Sequence, residues 1–193
     1  SYDPGSPVDN YGSQSQAQIS IPNLPETGFA PGVVTALPSQ PVDRRYASLG
    51  DFWVEIPKLN VKMPIVGVTL NESGWNITWL ADQAGWLEGS AYPTHSGNSV
   101  LTGHVFTADG NPGPFFNLHN LIWGDQIIVH LGGQRYIYEV RQIRRVWPDD
   151  LSILRHQEYP WLTLITCQDY NERTDSYSYR ISVGAVLVKV EGD

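Results

Sequence analysis

DQIIVHLGGQRYIYEVRQIRRV (residues 125–146) predicts a β-hairpin. Two runs rich in β-branched and aromatic residues, Asp125–Leu131 and Arg135–Val146, flank the dipeptide Gly132-Gly133. Such residues favour strands, and a two-residue Gly-Gly turn supplies the positive φ angles that a tight hairpin needs.

Short runs of the same kind recur along the chain from about Asp51 onward, separated by Gly, Pro and Asn. This spacing is typical of an all-β barrel or sandwich. The candidate strands are Phe52–Ile56, Lys62–Val66, Ser99–His104, Asp125–Leu131, Arg135–Val146, Trp161–Cys167 and Ser178–Val190. Helical signal is limited to two single turns, over Pro114–Leu121, where Phe115, Leu118 and Leu121 recur at spacings of three, and over Ala81–Leu87.

The N-terminal part of the chain differs in composition from the rest. Residues 1–41 contain no Lys or Arg and are rich in Pro, Gly, Ser and Gln. Such a segment does not bury enough apolar surface to offset the entropy of ordering it. We therefore expect a flexible N-terminal arm or linker over residues 1–48 and a folded β domain over residues 49–193.

Charge and cysteine content exclude several classes of function. The 12 Lys and Arg against 20 Asp and Glu give a net charge of −8, so the cationic surface that nucleic acid requires is missing. The single cysteine, Cys167, rules out an intrachain disulfide, and no zinc-binding motif is present. The longest wholly apolar stretch, Gly184–Val188, is far shorter than the roughly 20 residues that span a bilayer.

Three side chains that carry chemistry fall at predicted strand ends. Cys167 closes one candidate strand and His104 closes another, while Arg180 lies thirteen residues beyond the cysteine, near the start of the next strand. If residues 168–177 form a loop between antiparallel strands, chain reversal brings the guanidinium beside the thiol. We expect the three side chains to meet at one sheet edge.

Such a trio suits acyl transfer. At ordinary pKa values of about 8.5 for Cys and 6.5 for His, the neutral pair is favoured over the ion pair by roughly 2.7 kcal/mol. A neighbouring arginine favours the thiolate and stabilises an oxyanion, which leaves the histidine to protonate a leaving amine.

Each of the three also has a structural interpretation, and the pattern alone leaves it open. Cys167 would be a small buried hydrophobe, and His104 a core histidine bonded to the backbone. Arg180 would be a solvated strand residue paired with Asp169 or Glu172.

The motifs around these residues resemble those of the sortases, the cysteine transpeptidases of Gram-positive and related bacterial surfaces. The match rests on Leu164–Cys167 followed by Arg180, with Leu101–His104 upstream. Further similar segments, in the same order over roughly residues 50–190, are Ile56–Val61, Gly89–Pro93, Gly97-Asn98, Phe115–Leu121 and Gly124–Val129. The resemblance implies a closed sortase-like β-barrel with one or two short helical turns.

The resemblance also implies roles for individual residues. Cys167 matches the nucleophile, His104 the general acid and base, and Arg180 the substrate-binding and oxyanion-stabilising arginine. Thr102 and Thr166 match residues of the substrate pocket. Val105 stands where many relatives have Arg, so the subclass stays open.

The activity, partners and location implied by the resemblance follow from the family. Sortases cut a Leu-Pro-x-Thr-Gly signal of a surface protein between Thr and Gly, form a thioester, and pass the acyl group to an amine. We expect the acceptor to be an amine of the cell envelope or of a pilin. The expected location is the extracytoplasmic cell surface, with anchoring through an N-terminal segment absent from this chain.

The arm itself contains such a signal. Leu24, Pro25, Glu26, Thr27 and Gly28 spell Leu-Pro-Glu-Thr-Gly. Extended, residues 29–50 reach roughly 70 Å, whereas a domain of this size has a radius of gyration of about 14 Å. The motif can therefore reach the domain's own site as a lid or a self-substrate, in cis or in trans; the alternative is a spacer that contacts nothing.

Two other functions and one metal site are weaker alternatives. The protein would be a signal hydrolase if water takes the acyl group, or an inert surface β-domain for adhesion or assembly if the cysteine is only packed. Asp169, Glu172 and Asp175 would hold Ca²⁺ through oxygen ligands, but no ordered calcium loop is present. We therefore expect no cofactor and no metal.

Overall fold

The computed structural model describes residues 23–193 and shows a closed eight-stranded β-barrel. The strands in this range are β1 (Ala47–Ile56), β2 (Val61–Val68), β3 (Leu70–Asn71), β4 (Gly74–Trp75), β5 (Ala84–Leu87), β6 (Gly97–Thr102), β7 (Gln126–Leu131), β8 (Gln134–Val146), β9 (Pro160–Asn171) and β10 (Ser176–Gly192). Short 3-10 turns cover Val42–Arg44, Pro57–Leu59, Leu118–Asn120 and Leu151–Leu154. The predicted all-β barrel with short helical turns is confirmed, while residues 1–22 of the predicted arm lie outside the described residues.

The barrel strands follow the order β1-β2-β5-β6-β9-β10-β8-β7, and β1 closes the barrel by pairing with β7. Two of the pairings, β2 with β5 and β6 with β9, are parallel, and the other pairings in the barrel are antiparallel. Strands β3 and β4 form a separate two-stranded ribbon. Closure leaves the barrel no free edge, which removes the unpaired backbone groups that an open sheet exposes.

The predicted hairpin joins β7 to β8. Leu131 pairs with Gln134, and between them Gly132 and Gly133 have φ angles of 59° and 75°. Two consecutive positive φ angles match the tight turn whose twist suits paired strands.

The barrel interior is filled by alternate residues of the strands. In β1, Phe52, Val54 and Ile56 are at most 1% exposed, as expected when one face of a strand points inward. The 3-10 turn Leu118–Asn120 packs against this core through Leu118, whose side chain is fully buried. The periodic residues Phe115 and Leu121 on either side are buried in the same core.

One local prediction is wrong. A single helical turn was expected over Ala81–Leu87, but Ala84–Leu87 form strand β5, parallel to β2. The close approach of these strands explains the difference, because a Cβ at Gly85 would lie 2.7 Å from Val68 Cγ2. The glycine therefore serves strand packing, a contact that spacing alone does not reveal.

The hairpin formed by β9 and β10 is longer than the sequence predicts. The expected loop over residues 168–177 is reduced to residues 172–175, and pairing continues to Asn171 and Ser176. These end residues are polar because that part of the hairpin lies at the surface, so the usual apolar signal of a strand is missing there.

Among residues 23–193, no helix has the length and apolar character needed to cross a membrane.

We predict that Gly133→Ala destabilises the fold through the backbone alone. A Cβ at Gly133 would have open space around it, so the penalty comes from its positive φ and should lower the free energy of unfolding by about 1 kcal/mol. Gly192→Ala is the matched control, because it lies in β10 beside the same hairpin, also has open space, and is not among the glycines with positive φ. Urea unfolding of both variants measures the difference, and equal effects would contradict the explanation.

Candidate active site

Two strand pairings determine where the predicted catalytic side chains lie. In the antiparallel pair β9 and β10, Cys167 is directly opposite Arg180. In the parallel pair β6 and β9, Thr102 is opposite Ile165, two residues before His104 and Cys167 respectively. The three predicted residues therefore come together at one end of the barrel, although they are far apart in sequence.

Hydrogen bonds hold the ends of β6 and β9 together next to the cysteine. The Thr102 hydroxyl donates to the Ile165 carbonyl at 3.0 Å, and the Thr166 hydroxyl donates to the Gly103 carbonyl at 2.8 Å. Both threonines are at most 2% exposed, so the bonds are protected from water. The two predicted pocket threonines thus hold the backbone on either side of the site.

Arg180 is buried and points its donors at backbone carbonyls. Its Nε donates to the Pro25 carbonyl at 3.0 Å, and its Nη1 donates to the carbonyls of Tyr177 at 3.3 Å and Tyr179 at 3.1 Å. The alternative pairing with Asp169 is not formed, because that carboxylate lies 2.7 Å from Arg145. Within the described chain, no carboxylate lies within ion-pair distance of the Arg180 guanidinium, so its charge is not neutralised by a neighbour.

The Cys167 thiol is 2% exposed and lies beside this charge. Burial raises the pKa of the Cys167 thiol, because a thiolate loses its hydration in a dry site. The positive charge of Arg180 lowers the pKa of the thiol, and so does the hydrogen bond from the Thr27 amide to Sγ, but both effects are smaller than that of burial. In this arrangement the neutral thiol is favoured, and the arginine reduces the free energy needed to form the thiolate.

His104 is equally buried, and neither of its ring nitrogens has a hydrogen-bond partner. Burial lowers the pKa of the His104 imidazole, and the nearby backbone of Thr27 and Ile77 opposes this only in part. The ring of Phe29 covers the imidazole, with the ring centroids 5.2 Å apart. A buried imidazole without a partner is costly in a purely structural role, but it suits a group that exchanges protons with a substrate.

The Leu-Pro-Glu-Thr-Gly segment of the arm lies in this same site. Leu24 is 2% exposed within an apolar cluster of the barrel, and its amide donates to the Pro148 carbonyl at 2.8 Å. The apolar residues of that cluster are Val68, Ile77, Leu80, Leu87, Val100, Val146, Ile153 and Ile165. The leucine therefore occupies a pocket built by several strands and loops.

Thr27 lies against the cysteine itself. Its amide donates to Cys167 Sγ at 3.1 Å, and its hydroxyl donates to the Thr166 hydroxyl at 3.3 Å. Its carbonyl oxygen accepts a hydrogen bond from the Val105 amide at 2.8 Å. Thr27 is fully buried, so each of its polar groups is paired inside the site.

Two residues of the site were not predicted as functional from the sequence. Val105 supplies the amide that bonds the Thr27 carbonyl, and the Tyr177 hydroxyl donates to the Phe29 carbonyl at 2.6 Å. A backbone donor has no side-chain signature, and a tyrosine in a β-rich segment is typical of any strand. Neither role carries a signal in this sequence.

The acidic residues after the cysteine form contacts with the protein. Asp169 pairs with Arg145, and Asp175 accepts a hydrogen bond from the Tyr170 hydroxyl. Between residues 23 and 193, no cluster of three or more His, Cys, Asp or Glu side chains is arranged to hold a metal.

Comparison with known proteins matches this fold and site to one family. The sortase domain model matches residues 54–188. Sortase D of Bacillus subtilis is 30% identical over 160 residues, which cover 82% of this chain and 65% of that protein. Sortase A of Staphylococcus aureus is 30% identical over 140 residues, which cover 71% of this chain and 64% of that protein.

A solved structure shows the same relationship in three dimensions. The crystal structure of sortase C-1 from Actinomyces oris superimposes with a TM-score of 0.59 at 31% identity, covering 72% of this chain and 73% of that one. The chain spans just under two thirds of the length of the two curated relatives. Its sequence identity to sortases of types D, A and C is nearly the same, 30%, 30% and 31%, so the subclass is not resolved. With its described fold and more than half of its length matched, the chain belongs to the sortase family.

Proposed function

We propose that this protein is a cysteine transpeptidase that cuts a Leu-Pro-x-Thr-Gly-type signal between Thr and Gly. The acyl group would be held as a thioester on Cys167 and then passed to an amine. The observation that carries the proposal is the position of Leu24–Gly28, because a sequence of this very type occupies the groove beside the sulfur. Membership of the sortase family supports the same reaction class.

Acylation requires the thiol to lose its proton and the leaving amine to gain one. In the proposed mechanism Cys167 Sγ attacks the threonine carbonyl carbon, and His104 takes the thiol proton and gives it to the leaving glycine nitrogen. A second pass through the same groups joins an incoming amine to the acyl carbon and restores the thiol. The same imidazole thus accepts a proton when the thiol attacks and donates a proton when the amine leaves.

Arg180 and the Val105 amide have separate tasks in this scheme. The arginine binds the carbonyl of the signal's proline, as it binds that of Pro25, and its charge favours the thiolate. The Val105 amide lies at the threonine carbonyl oxygen, where negative charge develops during attack. We therefore assign binding and thiolate stabilisation to Arg180 and stabilisation of the oxyanion to the Val105 amide.

The wider context of the proposal follows the family. Substrates would be surface proteins that carry the signal, and acceptors would be amines of the cell envelope or of a pilin, on the extracytoplasmic side. The catalytic domain would be residues 49–193, preceded by the arm of residues 1–48. Hydrolysis of the signal is the competing outcome, and adding triglycine separates the two, since a transpeptidase yields the glycine adduct and a hydrolase yields the free acid.

We predict that incubation with a Leu-Pro-Glu-Thr-Gly peptide produces an acyl adduct on Cys167. Mass spectrometry of the acid-quenched protein should show the added Leu-Pro-Glu-Thr mass on the peptide containing Cys167. Cys167→Ala should carry no adduct, because it lacks the sulfur. An adduct of the same size on that variant, or none on the unaltered protein, would refute the proposed function.

We predict that Arg180→Lys lowers kcat/KM for the peptide by roughly 10- to 100-fold. One ammonium does not replace a guanidinium that bonds the Pro25, Tyr177 and Tyr179 carbonyls, and a hydrogen bond to a charged group contributes about 1.5–3 kcal/mol. Arg135→Lys is the matched control, because Arg135 pairs with Glu191 in a part-exposed ion pair. That control should stay within about twofold, as expected for a surface ion pair; similar losses in both variants would count against the assigned role.

We predict that His104 makes the fold less stable in mild acid. Since burial lowers the pKa of the His104 imidazole, the folded state binds fewer protons than the unfolded chain. This contribution is fully present above the unfolded pKa of about 6.5 and is lost as the pH falls toward the folded value, with a slope of at most about 1.4 kcal/mol per pH unit.

Urea unfolding between pH 8 and pH 5 measures this effect. His104→Gln should show a shallower loss of unfolding free energy than the unaltered protein. His119→Gln, at an exposed histidine, should follow the unaltered protein. Parallel curves for all three proteins would mean that His104 is not neutral and buried in the folded state.

A further inference from the structure

We propose, resting on the function proposed above, that Thr27–Gly28 is a self-processing site. The chain's own Leu24–Gly28 would be cut by Cys167 of the same molecule, and the new Gly28 amine would stay docked. The cut would then be reversible until an outside amine or water takes the acyl group.

The acyl side of the bond is bound by contacts that span the whole signal. Leu24 fills the apolar cluster, the Pro25 carbonyl is bound by Arg180, and the Thr27 hydroxyl reaches Thr166. These contacts run from the apolar cluster around Leu24 to the sulfur. The leucine, proline and threonine of the segment are therefore bound one after another between the apolar cluster and the sulfur.

The bond to be cut lies beside the nucleophile. The Thr27 nitrogen is 3.1 Å from Cys167 Sγ, and the carbonyl carbon of a residue is only about 2.5 Å from its own nitrogen. The Thr27 carbonyl oxygen already accepts the Val105 amide. A small shift of the backbone would bring the carbonyl carbon to the sulfur while the oxygen keeps its donor.

The position after the cut is tightly packed around glycine. A Cβ on Gly28 would lie 2.5 Å from Val105 Cγ1 and 3.0 Å from the Tyr177 ring. Both neighbours are buried side chains of the site, and at least the valine would have to shift to admit a side chain at this position. The site therefore packs closely around Gly28 as well, whose nitrogen is the leaving group.

The chain after the cut is held to the barrel by its backbone. The Phe29 amide donates to the Phe106 carbonyl at 3.1 Å, and the Phe29 carbonyl accepts from the Tyr177 hydroxyl. Because both groups belong to the residue next to Gly28, the new amine would remain close to the thioester.

This attachment continues for several residues. The amides of Gly32 and Thr35 donate to carbonyls of the loop at Gly110 and Ala108, at 2.9 and 2.6 Å. Further along, the Trp79 indole donates to the Pro38 carbonyl at 2.7 Å. A leaving group that is both part of the enzyme and bonded at several points has a high effective concentration, so it competes strongly with other nucleophiles.

The proposed step balances without any other reactant. The bond between Cys167 Sγ and the Thr27 carbonyl carbon forms, the Thr27–Gly28 bond breaks, and the thiol proton passes through His104 to the Gly28 nitrogen. The product is an isomer of the starting chain, with residues 1–27 attached through a thioester to residues 28–193. Its mass is therefore unchanged, and only a nucleophile that captures the thioester makes the cut visible.

A cavity beside His104 has none of the residues Leu24–Gly28 in its lining. This cavity of about 440 Å³ borders His104 and Phe29, and the carboxylates of Asp82 and Asp109 lie in its wall. Carboxylates attract an ammonium group, which must lose a proton before it attacks. The cavity thus suits entry of a small primary amine.

The test uses triglycine and hydroxylamine as capturing nucleophiles on the full chain. Incubation with either should split the protein into residues 1–27, extended by the nucleophile at Thr27, and residues 28–193 with a free Gly28 amine. The fraction split at a fixed time should not change on tenfold dilution, because the reaction is within one molecule. Mass spectrometry of both fragments measures these yields.

Three variants make the result specific. Cys167→Ala should give no fragments. Gly28→Ala should lower the yield at least tenfold, because the added methyl does not fit. Val34→Ala is the matched control in the same segment, since its side chain is 78% exposed, and it should split like the unaltered protein.

A separate measurement distinguishes this inference from the proposed function. Gly28→Ala should still transfer Leu-Pro-Glu-Thr from an added peptide to triglycine, which also shows that it is folded. If the added peptide reacts while Thr27–Gly28 of the unaltered chain stays intact with both nucleophiles, the self-processing site is refuted and the transpeptidase proposal stands. If neither the added peptide nor the Thr27–Gly28 bond reacts, both proposals are refuted. A fragment yield that falls tenfold on tenfold dilution would refute cutting within one molecule.

Discussion

The parallel pairing of β6 with β9 is the constraint on which the site depends. It places Thr102, two residues before His104, opposite Ile165, two residues before Cys167, so both functional residues follow at the same end of the barrel. The antiparallel pairing with β10 then brings Arg180 opposite the cysteine. Because a shift of one residue turns a strand's side chains to the other face, the register of two strand pairs decides whether these groups share one face at all.

Burial and charge oppose each other at the cysteine. A dry environment disfavours the thiolate and the imidazolium, which raises the cysteine pKa and lowers that of the histidine. The same dry environment strengthens the attraction of Arg180 for a thiolate and strengthens each hydrogen bond to a substrate. The site therefore rests as a neutral pair while keeping a nearby charge that favours the reactive form.

The sequence was sufficient for the all-β fold class and for the placement of Arg180 beside Cys167 across one strand pair. The Gly132-Gly133 turn and the recurring β-rich runs are local signals, and local chemistry determines them. The strand at Ala84–Leu87 was missed, because it exists only through its fit against Val68. The ends of β9 and β10 were missed because exposed polar strand residues resemble a loop.

The position of the arm illustrates a different limit. Composition identified residues 1–41 as unable to form a core of their own, but not that Leu24 would be buried in a cluster supplied by the barrel. The tyrosine and the valine amide that bind Phe29 and Thr27 likewise have no motif. A role that depends on a backbone amide or on apolar packing has no sequence motif, so it is recognised only once the three-dimensional structure shows the partner residue.

The burial of Leu24 has a consequence for how an outside signal would enter. Removing this side chain from its cluster exposes apolar surface that contributes about 1.5–3 kcal/mol when buried, so an empty groove is unfavourable in water. An arriving signal would offer an equivalent leucine to the same hollow. Entry of an outside signal would then replace one buried leucine by another, with little net change in the hydration of apolar surface. The fraction of sites that hold the outside signal would depend on its concentration relative to the effective concentration of the tethered arm, and not on a difference in intrinsic affinity.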